Sequence, residues 1–155
     1  MKEQSIKFLI FSFICFIGVL IFGSILGPIK KAFSDTEAFR NISLFHSHFD
    51  QLCWLGSAAI GATFWILDSK FKGSKLALKI FSFSYIFGTL LFSFGFLFRA
   101  LGIIYNNGII EKMAAIGMIS LGGLLIVVTT ISAVYIANCV LFCKVEKSGQ
   151  DITID

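Results

Sequence analysis

Four stretches of this chain are each long and apolar enough to cross hydrocarbon: Phe8 to Ile29, about Phe45 to Leu67, Ile80 to Phe98 and Met113 to Phe142. A crossing takes roughly 20 residues of helix. Inside a bilayer no water satisfies the backbone, so every N–H and C=O must find a partner within the protein. Helices and closed barrels are the structures that achieve this. The four runs mix Gly, Ser and aromatic residues without strict alternation, which argues against barrel strands. The expected fold is therefore all-α, a polytopic membrane protein built as a four-transmembrane-helix bundle. One domain is expected over residues 1–143, with a short tail over 144–155. Composition agrees: 14% of residues are charged, against about 25% in soluble domains.

With four helices the two ends of the chain fall on one side. That side collects Lys2, Lys7, Lys70, Lys72, Lys75, Lys79, Lys144 and Lys147, against Lys30, Lys31, Arg40, Arg99 and Lys112 opposite. The excess of basic residues predicts that both termini are cytoplasmic, with the lysine-rich loop from Asp68 to Lys79 as the strongest anchor. The first run follows Lys2 and Lys7 much as a signal peptide would. It is longer than a usual signal core and lacks a small-x-small cleavage site, so it reads as a retained helix. The net charge of +4 is accounted for by topology. No basic stripe interleaves with aromatics on a soluble face, so no nucleic-acid partner is expected. Neither a glycine-rich phosphate loop nor a nucleophile elbow is present.

Local signals punctuate the spans. Gly23-x-x-x-Gly27 in the first run forms a small-residue face for close helix approach, and Pro28 is expected to end that helix. A polar loop from Ala32 to Ser43 follows, holding the formal sequon Asn41-Ile-Ser43. Gly56, Ala58, Ala59, Gly61 and Ala62 give the second run a small-residue flank, and Trp54 and Trp65 lie near its two ends. The third run is aromatic, with gaps at Gly88 and Gly95. Tyr105-Asn-Asn-Gly108 is a turn signature in which Asn-Gly supplies positive φ. Gly122-Gly123 marks close contact or bending in the long fourth run. Glycine faces on the first, second and fourth helices predict a homo-oligomer. The cysteines Cys15, Cys53, Cys139 and Cys143 fall inside apolar spans and read as small packing residues rather than a disulfide framework.

The chemistry is concentrated at the mouth of the second run, Phe45-His-Ser-His-Phe-Asp-Gln-Leu-Cys-Trp. Two imidazoles, a carboxylate (Asp50) and an amide (Gln51) at a membrane entrance carry a desolvation cost unless they find partners or ligands. On a regular helix His46 shares a face with Asp50 and Cys53, and His48 with Gln51, Leu52 and Leu55. The two histidines then point about 200° apart. From an extended segment they would point the same way and chelate together. Three readings stay open. One imidazole is the axial ligand of a haem lying on the Gly/Ala flank; or His46 and Asp50, with Glu37 or Glu111, hold a divalent metal; or the histidines are interfacial polar residues of a non-enzymatic membrane subunit.

The four spans, the His-bearing entry to the second helix with His46-Ser47, and its Gly/Ala-rich continuation together resemble styrene oxide isomerase, a small membrane enzyme that binds haem b. The likeness covers that plan and one dipeptide. In that family a His-Ser pair opens the helix and an Asn-Gly pair follows a short way on. Here Leu52-Cys53 stands in that place, with Gln51 the nearest amide. The resemblance implies haem b held by His48 or His46 with Asp50 in support. It also implies Tyr85 and Gln51 as catalytic groups and a small apolar, epoxide-type substrate, isomerised through a carbocation and a hydride shift with haem iron as Lewis acid. Between the histidines, depth and an apolar flank (Leu52, Leu55, Ala59, Ala62) rank His48 first. The dipeptide and the shared face with Asp50 speak for His46.

Overall fold

The computed structural model describes residues 1–33 and 36–141. Among these residues the chain forms four long helices, and all four are long and apolar enough to span a membrane. They are α1 (Lys2–Phe33), α2 (Glu37–Lys70), α3 (Lys75–Ile104) and α4 (Gly108–Leu141). The expected all-α four-helix membrane architecture is what the chain adopts. The tail 144–155 and Cys143 lie outside the described residues.

Side-chain caps fix where three of the helices begin. The Thr36 hydroxyl accepts from Phe39 N at 3.2 Å, the Ser74 hydroxyl from Leu76 N at 3.2 Å, and Asn107 Oδ1 from Ile109 N and Ile110 N. Each satisfies backbone donors left free in a first helical turn. The turn between α3 and α4 does use a left-handed residue, but it is Asn106, with φ 49°, rather than Gly108.

Two sequence expectations are corrected by the helix bounds. α1 runs through Pro28 to Phe33, because a proline near a helix end removes one backbone bond and spanning helices tolerate that loss. α2 begins at Glu37, not near Phe45, so Arg40 and Asn41 belong to the helix and not to a long polar loop. Asn41 is buried and donates from its side chain to Glu37 O at 2.9 Å, which explains how a polar residue enters the packed wall.

α2 crosses the molecule. Its first half packs on α3 and its second half on α1, while α4 packs along α3. Both crossings depend on small residues. A Cβ built at Gly61 would lie 2.9 Å from Leu9 Cγ. At Gly122 it would lie 2.5 Å from Phe92 N, and at Gly102 2.7 Å from Glu111 N. Gly88, Gly95 and Gly102, spaced seven apart, bring the first half of α4 against the second half of α3, as a heptad seam does. The Gly23/Gly27 face is not used this way. Gly27 has no atom within 4 Å of its Cβ position, and the atom nearest Gly23 is His46 Cε1 at 3.6 Å.

Candidate functional site: the imidazole end and the polar middle of α2

α2 changes its winding just after the histidines. It is α-helical over Glu37–His48, π-helical over Phe49–Gly56 and α-helical again over Ser57–Leu67. π-turns inside helices recur at functional sites because they leave carbonyls without their usual partners and re-aim side chains. Here two carbonyls of the turn accept from hydroxyls of neighbouring helices. Tyr85 Oη of α3 donates to Leu52 O at 2.6 Å, and Ser12 Oγ of α1 donates to Trp54 O at 3.1 Å.

Since His46 and His48 lie on the regular α-helical part of α2, the extended arrangement that would let them chelate together is not adopted. His46 turns toward α1, its ring stacked on Phe22 with centroids 6.0 Å apart. His48 turns toward α3 and sits against Phe92 at 5.1 Å and Phe96 at 5.2 Å. The apolar neighbours of His48 are thus phenyl rings of α3. Asp50 follows His46 by one turn, but the two are not hydrogen-bonded. His46 Nδ1 and Asp50 Oδ1 are both buried and neither has a hydrogen-bond partner. Gln51 is exposed. Tyr85 is half-buried and committed to the Leu52 carbonyl. It stands two turns along α3 from the Phe92 that meets His48, so the four-residue constellation of imidazole, carboxylate, amide and phenol is not gathered at one point.

At the same end of the bundle, Arg99 ties three helices together. Its guanidinium meets Glu37 at 3.0 Å and Glu111 at 3.7 Å. The two carboxylates considered as supplementary metal ligands are therefore held by an arginine. Among the described residues no group of three or more His, Cys, Asp or Glu side chains is arranged to hold a metal.

A haem at this end would be held by a single imidazole. The observations that bear on this are the unpartnered buried nitrogen of His46 and the exposed, side-chain-free surface of Gly23 and Gly27 on α1 beside it. A macrocycle needs one ligand nitrogen and a flat apolar surface. An apolar groove of about 440 Å³ lies elsewhere, between the second half of α2 and the end of α4, lined by Ala59, Thr63, Phe64, Ile136 and Val140 among others.

A second polar region was not legible as a site. Cys15 of α1 and Cys53 of the π-turn are both buried, in one cluster with Val19, Phe45 and Phe49. Their thiols lie within interaction range of one another. Cys53 Sγ is also 3.9 Å from Ser93 Oγ and within reach of Thr89. The signal that finds this pair is the antiparallel register of α1 and α2, set by Ser5 against Gly61, Ser12 against Trp54 and Gly18 against Phe49. Comparison with protein-family models, curated proteins and solved structures finds no match.

Proposed function

We propose that this chain is an integral membrane protein that binds haem b through an imidazole at the entrance of α2, with both termini cytoplasmic and with copies associating in the membrane. The observation that carries the reading is His46 Nδ1, held in the interior with no hydrogen-bond partner. A buried polar atom left unsatisfied costs about 1–3 kcal/mol, and an arrangement that keeps one is explained by a ligand. His46 is the preferred iron ligand on this ground. His48, packed between Phe92 and Phe96, is the second candidate. Asp50, one turn beyond His46 and with an Oδ1 that is also unpartnered, would accept from the imidazole's second nitrogen, as carboxylates behind ligand histidines do, only after a shift of either side chain.

Bound haem supplies a Lewis-acidic or redox-active iron. The chain's own contribution is to hold one imidazole, to exclude water with Phe22, Phe45 and Phe94, and to offer an apolar wall to a small hydrophobic substrate. The likeness to styrene oxide isomerase extends the proposal to epoxide isomerisation, with Tyr85 and Gln51 as its catalytic candidates. A second reading rests on the same pair of unpartnered atoms: His46 and Asp50 share a non-haem divalent ion.

The visible spectrum of the protein purified from haem-replete cells tests both. A Soret band that His46→Ala removes, and that His48→Ala leaves in place, is the expected result. Colourless protein carrying one divalent ion per chain favours the second reading. Colourless, metal-free protein, or haem retained in full by the double histidine variant, overturns the site.

A further inference from the structure

We propose that Cys15 and Cys53 form a two-coordinate site for a soft monovalent ion of the Cu(I) class, separate from the imidazole end of α2. The two sulfurs come from different helices and reach the same depth. In the antiparallel register of α1 and α2, Cys15 and Cys53 fall between the Ser12–Trp54 hydrogen bond and the Gly18–Phe49 contact. Both residues are buried, at 2% and 0% exposure, so nothing outside the bundle competes for the sulfurs.

The donor set selects the ion. Thiolates prefer soft metals such as Cu(I), and a structural zinc would require four ligands. Only two sulfurs converge here, and among the described residues no third His, Cys, Asp or Glu joins them. A closed-shell monovalent ion is satisfied by two opposed sulfurs.

Binding is an exchange without redox chemistry. One Cu(I) enters, the protons of the two thiols leave, and the complex retains one net negative charge. Charge in a membrane interior needs hydrogen-bond donors, and Ser93 of α3 supplies one. Its hydroxyl stands 3.9 Å from Cys53 Sγ, whereas the Thr89 hydroxyl beside the same sulfur donates to Tyr85 O at 2.8 Å. One turn beyond Cys53, the fully buried Ser57 Oγ lies beside the Tyr85 hydroxyl that donates to Leu52 O.

The full chain in mild detergent, kept anaerobic, is titrated with Cu(I) against a chromophoric Cu(I) chelator. The expected result is one chelator-resistant Cu(I) per chain, with two sulfur neighbours in the copper X-ray absorption spectrum of the unaltered protein. Cys15→Ser and Cys53→Ser each lose it, whereas Cys139→Ser and the His46→Ala/His48→Ala double variant keep it. No uptake by the unaltered protein, nitrogen neighbours in its absorption spectrum, or uptake that survives the Cys15→Ser/Cys53→Ser double variant overturns the site. Loss of uptake in the histidine double variant overturns it too, and the haem spectrum reads the imidazole proposal independently.

Discussion

A single hydroxyl, that of Tyr85, closes the most irregular part of the backbone. It donates to Leu52 O in the π-turn at 2.6 Å, and the Tyr85 ring packs edge-on against Phe8 of α1 at 5.5 Å. Tyr85→Phe keeps the ring and removes the donor. Hydrogen bonds between spanning helices are worth about 0.6 kcal/mol on average and up to about 1.7. The short bond between two helices belongs near the top of that range. Reversible unfolding in mixed micelles should show Tyr85→Phe less stable by about 1–1.5 kcal/mol. Tyr105→Phe, at a ring that is 73% exposed, should leave stability unchanged. Glycine gives a second residue-scale contrast. Gly122→Leu drives a side chain into the α3 backbone and should cost about 1–3 kcal/mol or prevent folding, while Gly117→Leu, with open space around its Cβ position, should not lower the unfolding temperature.

At the scale of elements, α2 is two helices joined by a π-turn, and the join sets which partner each half meets. Before the turn, Phe45 packs on Phe94 of α3 at 5.2 Å; after it, Gly61 takes Leu9 of α1. Removing one residue from the turn rotates one half relative to the other by about 100°. Deletion of Leu55, whose side chain is largely exposed, is therefore expected to separate Cys53 from Cys15 and Tyr85 from Leu52 O together. The measurement is cross-linking of the two cysteines as a disulfide by a small, membrane-permeant oxidant in detergent. Efficient cross-linking should be seen in the unaltered chain and lost in the deletion variant. Undiminished cross-linking after the deletion would show that the π-turn does not set the register.

For the whole molecule, two outcomes concern how the bundle sits in a membrane and what it leaves open. A cysteine placed at Ser74, in the lysine-bearing turn between α2 and α3, should react with an impermeant maleimide only from the cytoplasmic side; labelling from outside reverses the orientation. The glycines with open space at their Cβ positions, Gly27, Gly108, Gly117 and Gly123, lie on surface that internal packing does not use. Native mass spectrometry from mild detergent should find dimers or larger assemblies, and Gly27→Leu should shift them toward monomer. Monomer alone in the unaltered protein would assign those faces to lipid.

The amino-acid sequence by itself determined that the chain is four membrane-spanning helices. Long apolar runs have few backbone solutions in hydrocarbon, and that constraint acts on each run separately. It also marked the region around His46, His48 and Asp50, because polar groups stand out against an apolar span whatever surrounds them. It misjudged Pro28 and the start of α2, where neighbouring helices decide the outcome. Tertiary structure alone decided that His46 faces α1 while His48 faces α3. It also decided that Asp50 does not bond His46, and that Cys15 meets Cys53. Those facts depend on helix rotation and on the register between α1 and α2. Rotation shifts by about 100° for every residue gained or lost in a turn, and a π-turn of this kind leaves no mark in a run of apolar letters.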